Sequence, residues 1–440
     1  MALQSWLPVP KGSHFSLANL PFGIISNSKL RTPRPAIAIG EDALDLSDFA
    51  KNGGFSELPS IKDHIGVFSE RSLNSFAALG RPVHREVRSY LQSILSIATP
   101  YPSLLKDNQA LKESSILSLK DVTTHLPLEI GDYTDFFAGV NHAFNIGTLF
   151  RGPENALQPN YTHLPVAYHG RASSVVVSGT PIHRPYGQII VDPAATPKVP
   201  TFTPCRRLDI ELEMGMFVCK GNKMGKRIGV NSAEDSIFGY VLMNDWSARD
   251  VQMWEYVPLG PFNAKNFGTT ISAWVVLADA LEPFRVTGLE NKTTLQEYLR
   301  QEQKESVFDI ALEVDLTIMC LAKSMEAANG NTTTITRTNA CNLLWSFPQM
   351  LAHHAVSGCT MRVGDLLGSG TISGTESGTQ GSLLEQIQGG KVALKLNHGE
   401  ERKFLQDGDT ISIRGVAGQD ENSLVGFGSC VGRIDPAIPF

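Results

Sequence analysis

The stretch LDIELEMGMFV, Leu208 to Val218, alternates strictly at its start. Leu208, Ile210, Leu212 and Met214 are apolar, and Asp209, Glu211 and Glu213 stand between them. A period of two is the signature of a β-strand, so the three carboxylates share one face and the apolar side chains the other. Runs of similar strand-like character recur at 173–182 (SSVVVSGTPI), 237–245 (IFGYVLMND), 271–281 (ISAWVVLADAL), 308–319 (FDIALEVDLTIM), 392–397 (VALKLN) and 410–417 (TISIRGVA). Gly, Pro and Asn turns separate them, and helical segments such as TNACNLLWSFPQMLAHHAV (338–356) are short. Many strands with few helices predict a sandwich, roll or barrel rather than a doubly wound sheet. The expected fold class is mainly β, of the α+β kind.

Outward from this centre the chain changes character at about residue 120. Before it, PRPAIAIG and EDALDLS read as two strands with Gly40 at the bend, and SERSLNSFAALGRPVHREVRSYLQSIL (69–95) carries apolar residues at helical spacing. This opening section holds few clustered polar groups and reads as a packing or dimer-supporting domain. The most polar run, 286–308, reads as a surface excursion between two strands. The Gly/Ser/Thr-rich run GSGTISGTESGTQGS, Gly368 to Ser382, is either a mobile surface loop or a lid over a site.

The formal net charge of −6 argues against a nucleic-acid or anionic-membrane partner. Six cysteines in 440 residues, without C-x-x-C pairing, are too sparse for a disulfide framework. With no basic-then-apolar leader and no long apolar window, the expectation is a reducing, cytoplasmic compartment with no membrane span. The sequons at Asn160, Asn291 and Asn331 then carry little meaning.

Chemistry-bearing residues concentrate between Gly131 and Ser174 and again after Asp245. Asp135 and His142 lie seven apart, so on a helix they would share a face, as a metal ligand beside a general base. An Asp that caps a helix and a His that packs beneath it fit the same spacing. Glu211 and Glu213 could equally be a solvated strand face. Against that, Asp245 comes off the end of an apolar run directly before Trp246, and carboxylates gathered at one point need a cation. Convergence of Asp135, Glu211, Glu213 and Asp245 would give an all-oxygen ligand set, which selects Ca²⁺ or Mg²⁺. The following loop, WSARDVQMWEYVPLGPFNAKNFGTTIS, adds Arg249, Gln252, Tyr256 and Lys265, donors suited to an oxyanion or a carboxylate, or plain loop polarity. Glu385 could orient His142 as the partner of a dyad.

The motifs GDYTDF, FRGPENAL, YHGRASS, VSGTPI, LDIELEM, MNDWSARD, WEYVPLGPF, FGTTIS and GDLLGSGTISG, in this order with His142 among them, closely resemble the fumarylacetoacetase family from about residue 16 to 435. The resemblance implies a small SH3-like N-terminal β-barrel domain (1–120) and a large mixed β-roll catalytic domain (121–440). It implies a metal-dependent hydrolase that cleaves a carbon–carbon bond of a small diketo dicarboxylic acid in the last step of tyrosine breakdown, and a homodimer. Carried over by position, Asp135, Glu211, Glu213 and Asp245 would hold the catalytic ion, with Lys265 and Thr269 beside Asp245 at a second cation site. His142 would be the base and Glu385 its partner, while Arg249, Gln252 and Lys265 would stabilise charge on the attacked carbonyl. Arg151, Tyr168, Tyr256 and Thr371, with Gln252, match substrate-contacting positions. Phe137 stands where many members carry Tyr, which removes one hydrogen bond worth about 0.5–1.5 kcal/mol. Val140 replaces a polar residue often found there. The competing readings are another hydrolase, hydratase or decarboxylase of the superfamily, and a non-catalytic metal-binding homologue.

Overall fold

The computed structural model describes residues 4–318 and 331–440. An N-terminal antiparallel sheet is built from β1 (Phe22–Asn27), β2 (Arg34–Ile39), β3 (Asp42–Asp45), β4 (Ile116–Ser118) and β5 (Val122–His125), in the order β4-β3-β2-β1-β5. Gly40 makes the predicted β2–β3 bend in the left-handed region (φ 60°), open to glycine without the penalty a side chain brings. Between β3 and β4 the chain forms α1 (Arg81–Leu95), whose Val87, Leu91, Ile94 and Leu95 are buried at helical spacing.

The larger part carries two sheets. The first joins β6 (Tyr133–Phe136), β7 (Ala167–His169), β8 (Val175–Val177), β10 (Leu212–Val218), β11 (Ile237–Asp245), β12 (Thr269–Ile271), β13 (Val276–Leu277) and β16 (Leu366–Gly368). Its order is β7-β6-β16-β10-β11-β12-β8, with β13 also pairing β11. The second sheet runs β15-β14-β17-β18-β9, from β9 (Ile182–His183), β14 (Ala311–Thr317), β15 (Thr332–Asn339), β17 (Thr410–Ala417) and β18 (Val425–Asp435). The helices α2 (Val140–Arg151), α3 (Arg249–Glu255), α4 (Phe347–Ala355) and α5 (Leu383–Gln386) are short. The mainly β expectation holds.

The first sheet lies between two apolar clusters. Leu212, Met214, Met216 and Val218 enter the core of the larger part, whereas Phe217, Val241, Met243 and Leu366 join a cluster with Phe22, Ile24, Phe49 and Leu91 of the N-terminal section. Burial on both faces explains why β11 is apolar almost throughout and why the alternation of Leu208–Met214 dissolves into a continuous run at Met216–Val218.

Three local expectations change. VALKLN yields only a two-residue strand at Leu394–Lys395, and in ISAWVVLADAL the last four residues turn into a helix, Ala278–Leu281. The long strand β18 was missed because its four-residue opening VGFG and later Gly432 interrupt the pattern with glycine. Met319, the last residue of the run beginning at Phe308, and Cys320 after it lie outside the described residues. Cys205, Cys219, Cys341, Cys359 and Cys430 are free thiols, and no helix among the described residues is long and apolar enough to cross a membrane.

Candidate active site

Strand register brings the carboxylates together. Asp135 on β6 stands opposite Gly368 on β16, Gly368 also faces Gly215 on β10, and Glu213 on β10 pairs with Met243 on β11. Asp245 ends β11 opposite Thr269 on β12. Glu211 immediately precedes β10. The four acids Asp135, Glu211, Glu213 and Asp245 are buried, each with an oxygen within 4.8 Å of the others'. Their convergence is thus a consequence of sheet register, and the solvated-face reading of Glu211 and Glu213 falls, since Glu213 is fully buried. Gly368 is what lets them meet: a Cβ there would lie 2.8 Å from Asp135 Oδ1 and 3.0 Å from Glu213 Oε2.

The four carboxylates have positive partners at Glu211 and Asp245, but no ion pair reaches Asp135 or Glu213 among the described residues. Burial and repulsion from Asp245 push the Asp135 carboxyl well above the usual carboxylate range, and burial with repulsion from Asp135 does the same to Glu213. Asp135 Oδ1 and Glu213 Oε1 are buried with no hydrogen-bond partner. Buried acceptors left over in an all-oxygen cage fit a hard divalent cation of the Ca²⁺ or Mg²⁺ kind. Lys265 contributes differently from expectation. Its ammonium sits between Glu211 and Asp245 and, having no lone pair, is a counter-charge and not a side-chain metal ligand. Burial opposes the Lys265 charge, but Asp245 and Glu211 outweigh it and hold the amine protonated. Thr269 Oγ1 donates to Asp245 Oδ1 at 3.3 Å, and Tyr168 donates to Asp245 Oδ2 at 3.1 Å.

Asp135 and His142 do not share a helix. Asp135 belongs to strand β6, and the chain then turns at Gly139 into α2, which carries His142 in its first turn. Gly139 is required there, because a Cβ would come within 2.1 Å of the Thr371 carbonyl oxygen. His142 Nδ1 donates to Glu385 Oε2 at 2.6 Å, and Nε2, the ring nitrogen not engaged by Glu385, lies 3.7 Å from Glu211 Oε1. Glu385 is gripped by Ser373 at 3.0 Å, Ser382 at 2.8 Å and Asn145 at 2.9 Å. Burial works against its charge, yet His142 and these donors hold its pKa below the usual value. Asn145, Ser373 and Ser382 went unread, although two signals existed: Ser382-x-x-Glu385 is a helix-start pattern, and Asn145 is one turn from His142 on the same helix face.

Arg249 links the two groups. Its Nε donates to Asp209 Oδ2 at 2.8 Å, and Nη1 lies 2.9 Å from Glu211 Oε1 and 3.2 Å from Gln252 Oε1. Against burial, Lys265, Arg249 and His142 keep Glu211 far below the usual carboxylate range. A cavity of about 450 Å³ opens over this assembly, lined by Phe137, His142, Arg151, Glu211, Arg249, Gln252 and Tyr256 among others. Phe137 meets the His142 ring edge-on, at 5.5 Å. Arg151 lines the cavity but spends its guanidinium on the carbonyls of Asn155 and Ala156, at 3.0 and 2.6 Å. Thr371 is buried behind Gly139, outside the lining of this cavity. Tyr168 and Lys265 line a second cavity that reaches Asp245 from another side. The run Gly368–Ser382 is no surface loop: only Thr375–Gly378 are exposed, and Gly370 N donates to Glu213 Oε2 at 3.0 Å.

The family profile described as "Fumarylacetoacetate (FAA) hydrolase C-terminal" matches residues 133–435, and "Fumarylacetoacetase N-terminal" matches 18–127. The chain is 63% identical over 438 residues to the fumarylacetoacetase fahA of Aspergillus fumigatus, covering 99% of each chain. It is 49% identical to the fumarylacetoacetase of Arabidopsis thaliana and 45% identical to that of Homo sapiens, again with 99% of each chain covered. Its fold is similar to the fumarylacetoacetate hydrolase of Exiguobacterium antarcticum at TM-score 0.51, with 15% identity and coverage of 95% of this chain and 99% of that one. With the matched segments carrying both the carboxylate cage and the His142–Glu385 pair, the chain belongs to the fumarylacetoacetate hydrolase family.

Proposed function

We propose that this chain hydrolyses the carbon–carbon bond of fumarylacetoacetate, yielding fumarate and acetoacetate. One observation carries the reading: the free Nε2 of a carboxylate-oriented histidine opens into the same cavity as the edge of a four-carboxylate cage. Nε2 of His142 takes a proton from water, and the oxygen attacks the carbonyl on the fumaroyl side. Arg249, whose Nη2 is buried without a partner, and the amide of Gln252 face the cavity as donors to the resulting oxyanion. A well-placed donor of this kind contributes roughly 3–4 kcal/mol. As the carbon–carbon bond breaks, its electron pair passes to the acetoacetate fragment as an enolate, and the proton held at His142 returns to that carbon. A divalent cation held by Asp135, Glu211, Glu213 and Asp245 would supply the Lewis acidity that spreads the enolate charge.

The cation is Ca²⁺ or Mg²⁺ on the chemistry of the oxygen donors. The family resemblance also supports a homodimer and a cytoplasmic place in tyrosine and phenylalanine breakdown. Exposed Val257, Leu259 and Phe262 offer apolar surface to a second copy, and a light-scattering mass near twice 47.9 kDa would agree. The deciding assay is the loss of the diketone's ultraviolet absorbance, with and without a chelator, beside His142→Ala. Cleavage that needs the metal and collapses in the variant supports the proposal. A folded, cation-binding protein that cleaves nothing would overturn it.

A further inference from the structure

The cavity over His142 has two unlike ends. At the buried end stand His142, Glu211 and Arg249, all less than a tenth exposed. Toward solvent the lining includes Arg207 and Lys391, both exposed, and Arg151 at the end of α2. Ile146, Leu149, Phe150, Met253 and Leu384 add apolar lining, so the cavity combines apolar walls with one buried cation, Arg249, and exposed cations.

Of these cations Arg151 is held by the carbonyls of Asn155 and Ala156, whereas Arg207 and Lys391 are uncommitted. Among the described residues, no carboxylate lies within ion-pair distance of Arg151, Arg207 or Lys391, although the chain as a whole is negative. Arg207 makes one weak contact, Nη1 to the Met253 sulfur at 3.8 Å. Among the described residues Glu211 is the only carboxylate lining the cavity, and Lys265 and Arg249 already neutralise it. Exposed cations that line one cavity with no acid paired to them leave a positive field open to an anion. The buried, unpartnered Nη2 of Arg249 is an independent sign that this cavity is shaped for an acceptor-rich ligand.

We infer that Arg207 and Lys391 form the far carboxylate site of this slot and make the enzyme select diketo acids with a second carboxylate over those ending in an uncharged group. The inference rests on the reaction proposed above. Attack must occur beside His142, at the buried end. The unsaturated arm beyond the attacked carbonyl is stiff and apolar, matching the slot's sides, and its terminal carboxylate then meets the rim. Arg207 can grip it with two parallel N–H donors, whereas Lys391 acts as a point charge. Neither residue touches the reacting atoms, so both are positioning residues.

The test compares two substrates: fumarylacetoacetate, and a diketo acid that keeps the reacting diketone and near carboxylate but ends in a methyl group. Arg207→Gln or Lys391→Gln is expected to raise KM for the dicarboxylate about tenfold, the effect of losing one charge-assisted hydrogen bond, with a larger loss in the double variant. KM for the methyl-ended acid should move less than about twofold, so the preference between the two collapses. The salt dependence of kcat/KM for the dicarboxylate should flatten in parallel. Lys391→Glu should invert the preference further, whereas Arg207→Lys should restore part of it. Equal effects on both substrates, or no effect on either, would overturn the site. A wild-type protein that cleaves neither acid would instead overturn the proposed reaction, before any variant is made.

Discussion

His142 can act as a base because two layers of neighbours fix it. The serines and Asn145 hold Glu385, Glu385 holds Nδ1, and Nε2 is thereby aimed into the cavity. Removing the base is expected to lower kcat by about 10²–10⁴, the usual worth of positioned acid–base catalysis. Glu385→Gln tests orientation separately from charge. An amide can still contact Nδ1, but it no longer stabilises the protonated ring, so kcat should fall strongly while KM changes little. A Glu385→Gln variant with unaltered kcat would show that the pair is only structural. At the cage, Glu213→Gln removes an acceptor that has no protein partner, so cation affinity measured by calorimetry should fall without loss of fold.

At the scale of elements, the cage depends on glycine where strands crowd. Gly368 lies between Asp135 and Glu213, and the methyl of Gly368→Ala would also approach Met243 Cε to 2.4 Å. Met243 can swing aside, but the two carboxylates are fixed by sheet register, so the cage must open. Cation affinity should fall at least tenfold, and the stabilisation that added cation gives the wild type, about 2.7 kcal/mol at a hundredfold excess over Kd, should shrink in thermal melts. Unchanged affinity would mean that the cage does not need this close approach. The same level explains what could be read from residues alone. Alternation at Leu208–Met214 announced a strand and its acidic face, and the apolar run into Asp245 announced a buried end. No pattern within one strand states which strand will lie beside it, so the pairing of β6 with β16 that aligns Asp135 with Gly368 was invisible. The seven-residue spacing of Asp135 and His142 misled for a related reason: two side chains can meet across a strand–helix junction as readily as along a helix. Glycine-broken β18 and the buried limbs of Gly368–Ser382 show the converse, where local composition suggests a loop and tertiary packing overrides it.

Across the whole molecule, the N-terminal section and the large sheet share one apolar cluster, and a polar clasp crosses the same boundary. Arg81 at the start of α1 reaches Asp279 and Glu282, each at 2.9 Å, and Arg85 adds Asp279 at 2.7 Å. One turn into α1, His84 is buried against Phe76 and Phe238, with Nε2 on the carbonyls of Phe76 and Ala77. Burial pushes its pKa down to about 4 from an ordinary 6.5, the carbonyl contacts and Asp279 opposing and Arg81 assisting. The folded protein therefore takes up this proton later than the unfolded chain. His84's contribution is whole above pH 6.5 and declines as pH falls towards 4, by up to about 3 kcal/mol. His84→Gln, which keeps a donor for the two carbonyls and does not titrate, should flatten that part of the stability profile measured by urea unfolding. Because the boundary is a shared core, both halves should unfold together across the whole range. A separate acid transition of the N-terminal section would show that the boundary is not one shared core, and a slope that survives His84→Gln unaltered would show that His84 is not the source of the acid sensitivity.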